Sequence, residues 1–392
     1  QAAAVGQGDE DILTAEADDR LAKAITQGQD AQAGGTTDDC IAAINALKEA
    51  IAFGEETLKL TAQLKSEYEA MTGYRMEEVS SSESNFPAFI DELGTKLEDA
   101  DFATNAEVEQ ARLDLKKGFT VYVQYDALDA TEDAPADITA VIYNPDYLNY
   151  YIDEGNFSLA GWTVQGGAGN LATTDEEGNA GFDAEFFNQA YDLRQTIPGL
   201  APGYYRLYVP GYYRNGDYAV VEKALNGELL EDSTGVYTED KLAFLFANDA
   251  EAALALISSD LTAYNLLEEA TGAEITVNDV TMLIPNNMAQ AELAFANGLY
   301  QNVLQFEVKE GQEAVEIGLK KEETVTNDWT MFGAWKLEYL GTTTPTEDPT
   351  TAIKGVETEQ TTRIAIYNLA GQRVAKTQKG IYIVNGKKIV VK

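Results

Sequence analysis

The sequence predicts an α+β protein of several domains: an N-terminal helical bundle, a central antiparallel β-sandwich and a small C-terminal β meander. Three observations carry this. Up to about residue 125, apolar residues recur at steps of three, four and seven. Beyond that point they alternate with polar residues, and a Thr/Pro run then sets off a basic tail from an acidic bulk. Helix, strand and linker each leave that kind of signature.

In the first region, Ile41, Ile44, Leu47, Ile51, Leu58, Leu64, Tyr68 and Met71 fall on one helix face, with Gly54 placed to kink or divide the helix. Asn85 with Pro87 opens a second helix through Phe86, Ile90, Leu93 and Leu97. Thr104 and Glu107 have the spacing of a capping box ahead of Val108, Ala111, Leu115, Phe119 and Tyr122. Ala17, Leu21, Ala24 and Ile25 make a shorter candidate upstream. Turns such as Gly34-Gly35 and Ser80-Ser81-Ser82 complete a bundle of three or four helices over residues 1–128.

Residues 131–137 turn to Asp, Ala and Pro and read as a linker. Over 137–341 the period is two: Tyr205, Leu207 and Val209 alternate with Tyr204, Arg206 and Tyr208, and Trp335, Leu337 and Tyr339 with Lys336 and Glu338. Leu304–Phe306–Val308 and Val315–Ile317–Leu319 repeat the pattern, with turn signals at Asn226-Gly227 and Pro202-Gly203. A helical insertion is expected over 249–270 and a short helix after Pro285. Residues 342–355 form the Thr/Pro linker. Residues 356–392 are expected to form the meander, with Asn385-Gly386 as a hairpin turn.

Composition narrows the chemistry. The 392 residues carry 27 Lys+Arg and 66 Asp+Glu, a net charge of −39, which repels phosphate backbones and argues against nucleic-acid or anionic-membrane partners. There is no His, which removes Ser-His-Asp and Cys-His catalysis and His-ligated zinc. The single Cys40 sits in an apolar helical pattern and reads as a buried structural thiol. No apolar stretch reaches the roughly 18 residues of a membrane span, so no membrane insertion is expected. A start at Gln1 leads us to expect a trimmed or processed chain.

Paired carboxylates are the acid/base equipment present in quantity, but with 66 acids no pair is singled out. Gly166-Gly167-Ala168-Gly169 lacks a following Rossmann helix and reads as a loop. Asp175, Glu176, Glu177, Asn179 and Asp183 cluster around Gly178, a donor set that suits structural calcium or equally a solvated acidic loop. No other cofactor is implied. The aromatics say more. If Leu207 and Val209 face the core, Tyr204, Arg206 and Tyr208 project from the other face, and Tyr212 and Arg214 continue the row. Flat rings beside guanidinium groups suit sugars, unless a further layer covers them.

Two segments resemble known families. Gly161-Trp162-Thr163, Asp192-Leu193-Arg194, Pro202-Gly203-Tyr204-Tyr205-Arg206, Gly211-Tyr212-Tyr213-Arg214, Ile284-Pro285-Asn286-Asn287 and Asn327-Asp328-Trp329-Thr330 occur in an order that resembles the galactose-binding-like, carbohydrate-binding-module-like jelly rolls of secreted proteins of Gram-negative gut-type anaerobes. That resemblance implies a non-catalytic sandwich that binds glycans. The tail Asn368-Leu369-Ala370-Gly371-Gln372-Arg373-Val374 with Lys379-Gly380-Ile381-Tyr382-Ile383-Val384 looks like the C-terminal sorting domains of type IX secretion. It implies export across the outer membrane to the cell surface or medium.

The expectation is therefore a non-enzymatic glycan-binding or adhesion protein. The alternative is a cell-surface structural or assembly protein that binds protein partners, with a carboxylate-dependent glycoside hydrolase third. Trp335 alternates in phase with Leu337 and Tyr339 and is expected in the core. Trp329, helped by Trp162 and the row Tyr204, Tyr208 and Tyr212, is the expected stacking platform, with Asn327 beside it and Asp328 and Arg214 bonding hydroxyls. The competing expectation is that Trp162 and Trp329 plug the ends of the sandwich.

Overall fold

The computed structural model describes residues 2–8, 11–72, 85–147, 159, 161–165, 183–232, 235–260 and 273–346, and the backbone of strands at 366–368, 380–384 and 387–391. Helices at the N-terminus and antiparallel sheets beyond them make this an α+β protein. The chain divides into two units: Gln1–Asp126 with Pro198–Leu200, and Ala127–Ile197 with Ala201–Lys392.

The first unit holds α1 (Ala15–Gly34), α2 (Thr37–Ala70), α3 (Phe86–Glu98) and α4 (Asn105–Gln124). Thr14, Thr36 and Thr104 cap α1, α2 and α4 through their hydroxyls, and Asp39 returns the bond to Thr36 as a full capping box. The expected face of α2 holds from Leu47 onward, with Leu64 and Met71 buried and Leu47, Ile51, Leu58 and Tyr68 half-buried, but not at its first turns. Its buried residues are Ala43, Ala50, Gly54, Thr57, Thr61 and Leu64, while Ile41 and Ile44 are about half exposed, at 53% and 51%. Small side chains let α2 approach α1 closely, with Leu47 and Ile51 packed beside Ala50 against Leu21 and Ala24. Gly54 does not divide α2: a Cβ there would lie 2.8 Å from a Val5 methyl, so glycine serves close approach. Glu67 is buried under Arg112, whose Nε and Nη2 donate to its two oxygens at 3.0 and 2.6 Å, and Lys116 lies 2.9 Å away. Cys40 is half-buried rather than enclosed.

The second unit is built on β5 (Gly203–Arg214), a 12-residue strand. Its first half pairs with β11 (Gln301–Val308) on one side and β14 (Lys336–Tyr339) on the other, with β1 (Ala136–Asp137) outside β14. Its second half pairs with β13 (Trp329–Phe332) and, in parallel, with β8 (Ala255–Leu256); β3 (Ala184–Phe187) lies beyond β13. A second sheet runs β2 (Thr163–Gln165), β4 (Tyr191–Pro198), β12 (Ala314–Lys321), β6 (Phe244–Ala247) and β7 (Ala250–Ala253). Contacts of β11 with β6 and β7 join the two sheets, and Phe186 of β3 stacks on Tyr191 of β4 at 4.0 Å. Leu193, Tyr205, Leu207, Val209, Leu245, Leu319 and Leu337 are fully buried, as period-two alternation requires.

A further layer does cover part of the ring row. The hairpin β9 (Ala273–Val277) and β10 (Val280–Ile284), with α5 (Tyr218–Asn226) and α6 (Met288–Ala296), forms an apolar cluster over the second half of β5. Gly227 is the left-handed cap of α5, φ 66°, so Asn226-Gly227 closes a helix rather than a strand hairpin. The expected helical insertion is likewise corrected: β7, β8 and a short 3₁₀ turn at Ile257–Ser259 occupy its first part, and 261–270 lie outside the described residues. The helix after Pro285 is α6. Near the C-terminus β15 (Ile366–Asn368), β16 (Gly380–Val384) and β17 (Lys387–Val391) pair antiparallel.

Candidate ligand-binding face

The even-numbered side chains of β5 form one row with two fates. Tyr204, Arg206 and Tyr208 are half-buried while Tyr205, Leu207 and Val209 between them are buried, so the row faces away from the core. Register sets its neighbours: Arg206 lies between Gln305 and Glu338, and Tyr208 between Val303 and Lys336. Arg206 Nε donates to Gln305 Oε1 at 3.1 Å and its Nη2 to Glu132 Oε1 at 3.0 Å. The Tyr208 hydroxyl donates to Glu338 Oε2 at 2.7 Å, and Lys336 Nζ stands 5.5 Å over the Tyr208 ring. Burial, then the Glu338 carboxylate, push the Tyr208 hydroxyl up to about 12, so it stays a donor at neutral pH. The Tyr204 hydroxyl shares a hydrogen bond with Thr344 at 3.0 Å, and Thr346 bonds Glu132. The outcome is a flat strip of two phenol rings flanked by guanidinium, amide, carboxylate and ammonium groups.

Past Pro210 the row continues under the third layer, and here the expected platform is overturned. Tyr212 is fully buried, its ring 4.9 Å from Tyr300 and 5.5 Å from Trp329. Trp329 is only 4% exposed; its indole N–H donates to Glu185 Oε2 at 2.6 Å and Arg214 lies 5.1 Å over its ring. Arg214 is buried too, donating to Gly216 O, Asn286 Oδ1 and Asn327 O at 3.0, 2.7 and 3.4 Å. Its guanidinium is thus spent on the fold and does not face a ligand. Burial pulls its pKa down and pushes that of Glu185 up.

Asp328 is enclosed rather than offered to hydroxyls. Its Oδ2 accepts from Tyr213 at 3.0 Å and from Lys321 Nζ. Asn327 is exposed, with its φ of 61° setting the turn into β13. Trp162 is also buried, donating to Asn144 O at 2.9 Å and packed 4.9 Å from Trp335, itself buried as expected. Both tryptophans therefore plug the interior, because covering an indole of this size gains more than a sugar face left open.

Of the calcium candidates, Asp175, Glu176, Glu177 and Asn179 lie outside the described residues. Asp183 is described, and it is 2% exposed with no hydrogen-bond partner on Oδ2. Burial, with Glu292 and Glu185 nearby, pushes its carboxyl up to about 8. Among the described residues no group of three or more His, Cys, Asp and Glu is placed to hold a metal ion. Glu185, Gln305, Lys336 and Glu338 were missed by sequence reasoning. For the last three, the alternation in β11 and β14 was a usable signal once the pairing with β5 was known. Among the described residues, no helix is long and apolar enough to cross a membrane. No protein-family model matches the chain, and no curated protein is significantly similar to it.

Proposed function

We propose that the chain is a non-enzymatic glycan-binding or adhesion protein of the cell surface or extracellular space. In this proposal the β unit is a galactose-binding-like jelly roll that recognises the glycan, and the helical unit acts as a spacer. The supporting observation is the open half of the β5 row. Tyr204 and Tyr208 lie four residues apart on one face, about 14 Å at about 3.4 Å per residue, so a glycan longer than a disaccharide is needed to cover both rings. Arg206, Gln305, Lys336 and Glu338 supply donors and acceptors beside them. Pyranose CH faces stack on such rings while hydroxyls bond the polar rim. The site thus moves from Trp329 to Tyr204, Arg206 and Tyr208. The sorting-like tail supports export across the outer membrane by a type IX route.

Calorimetric titration of the full chain against a broad panel of host and plant polysaccharides tests this. Saturable binding to a defined glycan is expected, and silence across the panel would remove the proposal. A second reading, a surface assembly protein with protein partners, is favoured by Ile41 and Ile44, large aliphatics left exposed on α2.

A further inference from the structure

Lys321, the last residue of β12, and Asp328, the residue before β13, meet inside the β unit, and each side chain is 1% exposed. No other ion pair among the described residues is buried so completely on both sides. Burying two full charges is costly even when they pair. Here the surroundings compensate only in part. Lys321 Nζ also donates to Glu323 O at 2.8 Å, and lies 5.8 Å over the Tyr213 ring. Asp328 Oδ2 takes the Tyr213 hydroxyl and Lys321, but Oδ1 has no hydrogen-bond partner. Tyr191 and Thr330, bonded to one another at 3.0 Å, are buried as well.

We propose that Lys321 and Asp328 condense into an intramolecular amide, a covalent staple between the end of β12 and the start of β13. The condensing form is the neutral pair, reached when one proton passes from Nζ to Oδ2, the oxygen it contacts. Burial favours the protonated acid, since it pushes the Asp328 pKa up against the opposing pull of Lys321. The freed Nζ lone pair attacks Cγ, forming the C–N bond. The hydroxyl oxygen of the acid accepts a proton from Nζ and departs as water, breaking its C–O bond. Oδ2, which Nζ contacts, is the oxygen that leaves, with the Tyr213 hydroxyl donating to it as the C–O bond breaks, and Oδ1 becomes the carbonyl oxygen. No oxidant or cofactor enters the balance. The fold supplies the effective concentration by holding the two groups in contact. The product replaces two buried charges with one neutral amide. A chain with a single cysteine has no internal disulfide, and this bond would give it a covalent closure of another kind.

The test is intact-mass spectrometry on the purified full chain, followed by digestion with a glutamate-specific protease. The chain is expected to be lighter than its sequence by one water. Cleavage after Glu322 and Glu323 should leave fragments 317–322 and 324–338 joined, with the branch between Lys321 and Asp328 in the fragment spectrum. Lys321→Met is expected to show the full mass of its own sequence. A wild-type chain at its full sequence mass, or fragments that separate, would overturn the proposal. So would a water-sized deficit that persists in Lys321→Met. Should Lys321→Met fail to fold, the wild-type digest alone still decides.

Discussion

The two halves of β5 carry nearly the same sequence motif and end in opposite environments. Gly203-Tyr204-Tyr205-Arg206 and Gly211-Tyr212-Tyr213-Arg214 share a Gly-Tyr-Tyr-Arg pattern eight residues apart, an even number, so corresponding side chains point to the same faces. In the first copy, Tyr204 and Arg206 are half-buried on an open sheet; in the second, Tyr212 and Arg214 are buried beneath β9, β10 and α6. Local sequence sets which way a strand residue points. Whether that face meets water depends on a layer contributed from some sixty to ninety residues further along the chain. Function follows the cover: the open copy offers rings and hydrogen-bonding groups, and the roofed copy organises a core.

The sharpest break in this comparison comes from the roofed half. Trp329→Ala should cost about 3–5 kcal/mol, because it empties an indole-sized space and strips Glu185 of its buried donor. A loss of that size in urea unfolding confirms the core role, whereas a change below about 0.5 kcal/mol would return Trp329 to the surface. Next in size is Gly54→Val in the helical unit. It should cost about 1–3 kcal/mol by forcing α2 off Val5 and Leu21, measured as a lower melting temperature.

The pH response sharpens the contrast further. Asp183 binds its proton up to about 8 in the folded state against an ordinary 3.8, so the native chain holds more protons than the unfolded chain between those values. Its contribution therefore lowers stability as pH rises through that window, the reverse of a salt-bridged carboxylate. Asp183→Asn should flatten the slope, with a gain over wild type larger near about pH 8 than near about pH 5 in parallel urea titrations. Glu239, half-buried and raised to about 7, acts in the same direction and should leave a residual slope in the variant. The smallest effect belongs to the exposed face of α2, where Ile41→Ser with Ile44→Ser should change stability by no more than about 0.5 kcal/mol.

These contrasts also mark what could be read from sequence. Alternation gave the inward set Tyr205, Leu207 and Val209 and the outward set Tyr204, Arg206 and Tyr208, since period two depends only on backbone geometry. The cap at Thr104 was similarly local. The first turns of the α2 seam were misjudged because hydrophobic spacing weighs Ile41 and Ile44 above Ala43 and Ala50, while close helix packing favours the small residues. Trp329, Trp162, Arg214 and Asp328 were placed at a surface because their partners are distant in sequence. Trp329 bonds Glu185, 144 positions away, and Trp162 packs on Trp335. No periodicity encodes a roof assembled from β9, β10 and α6.

The central claim, that recognition lies in the open half of β5 and not under the roof, is tested most directly by one titration. The full chain and its Tyr204→Ala/Tyr208→Ala variant are titrated calorimetrically with the polysaccharide that the wild type binds, alongside a melting curve for each. The account predicts at least a tenfold loss of affinity, about 1.4 kcal/mol, in the variant, with a nearly unchanged melting temperature. Equal affinity in the two proteins would contradict it.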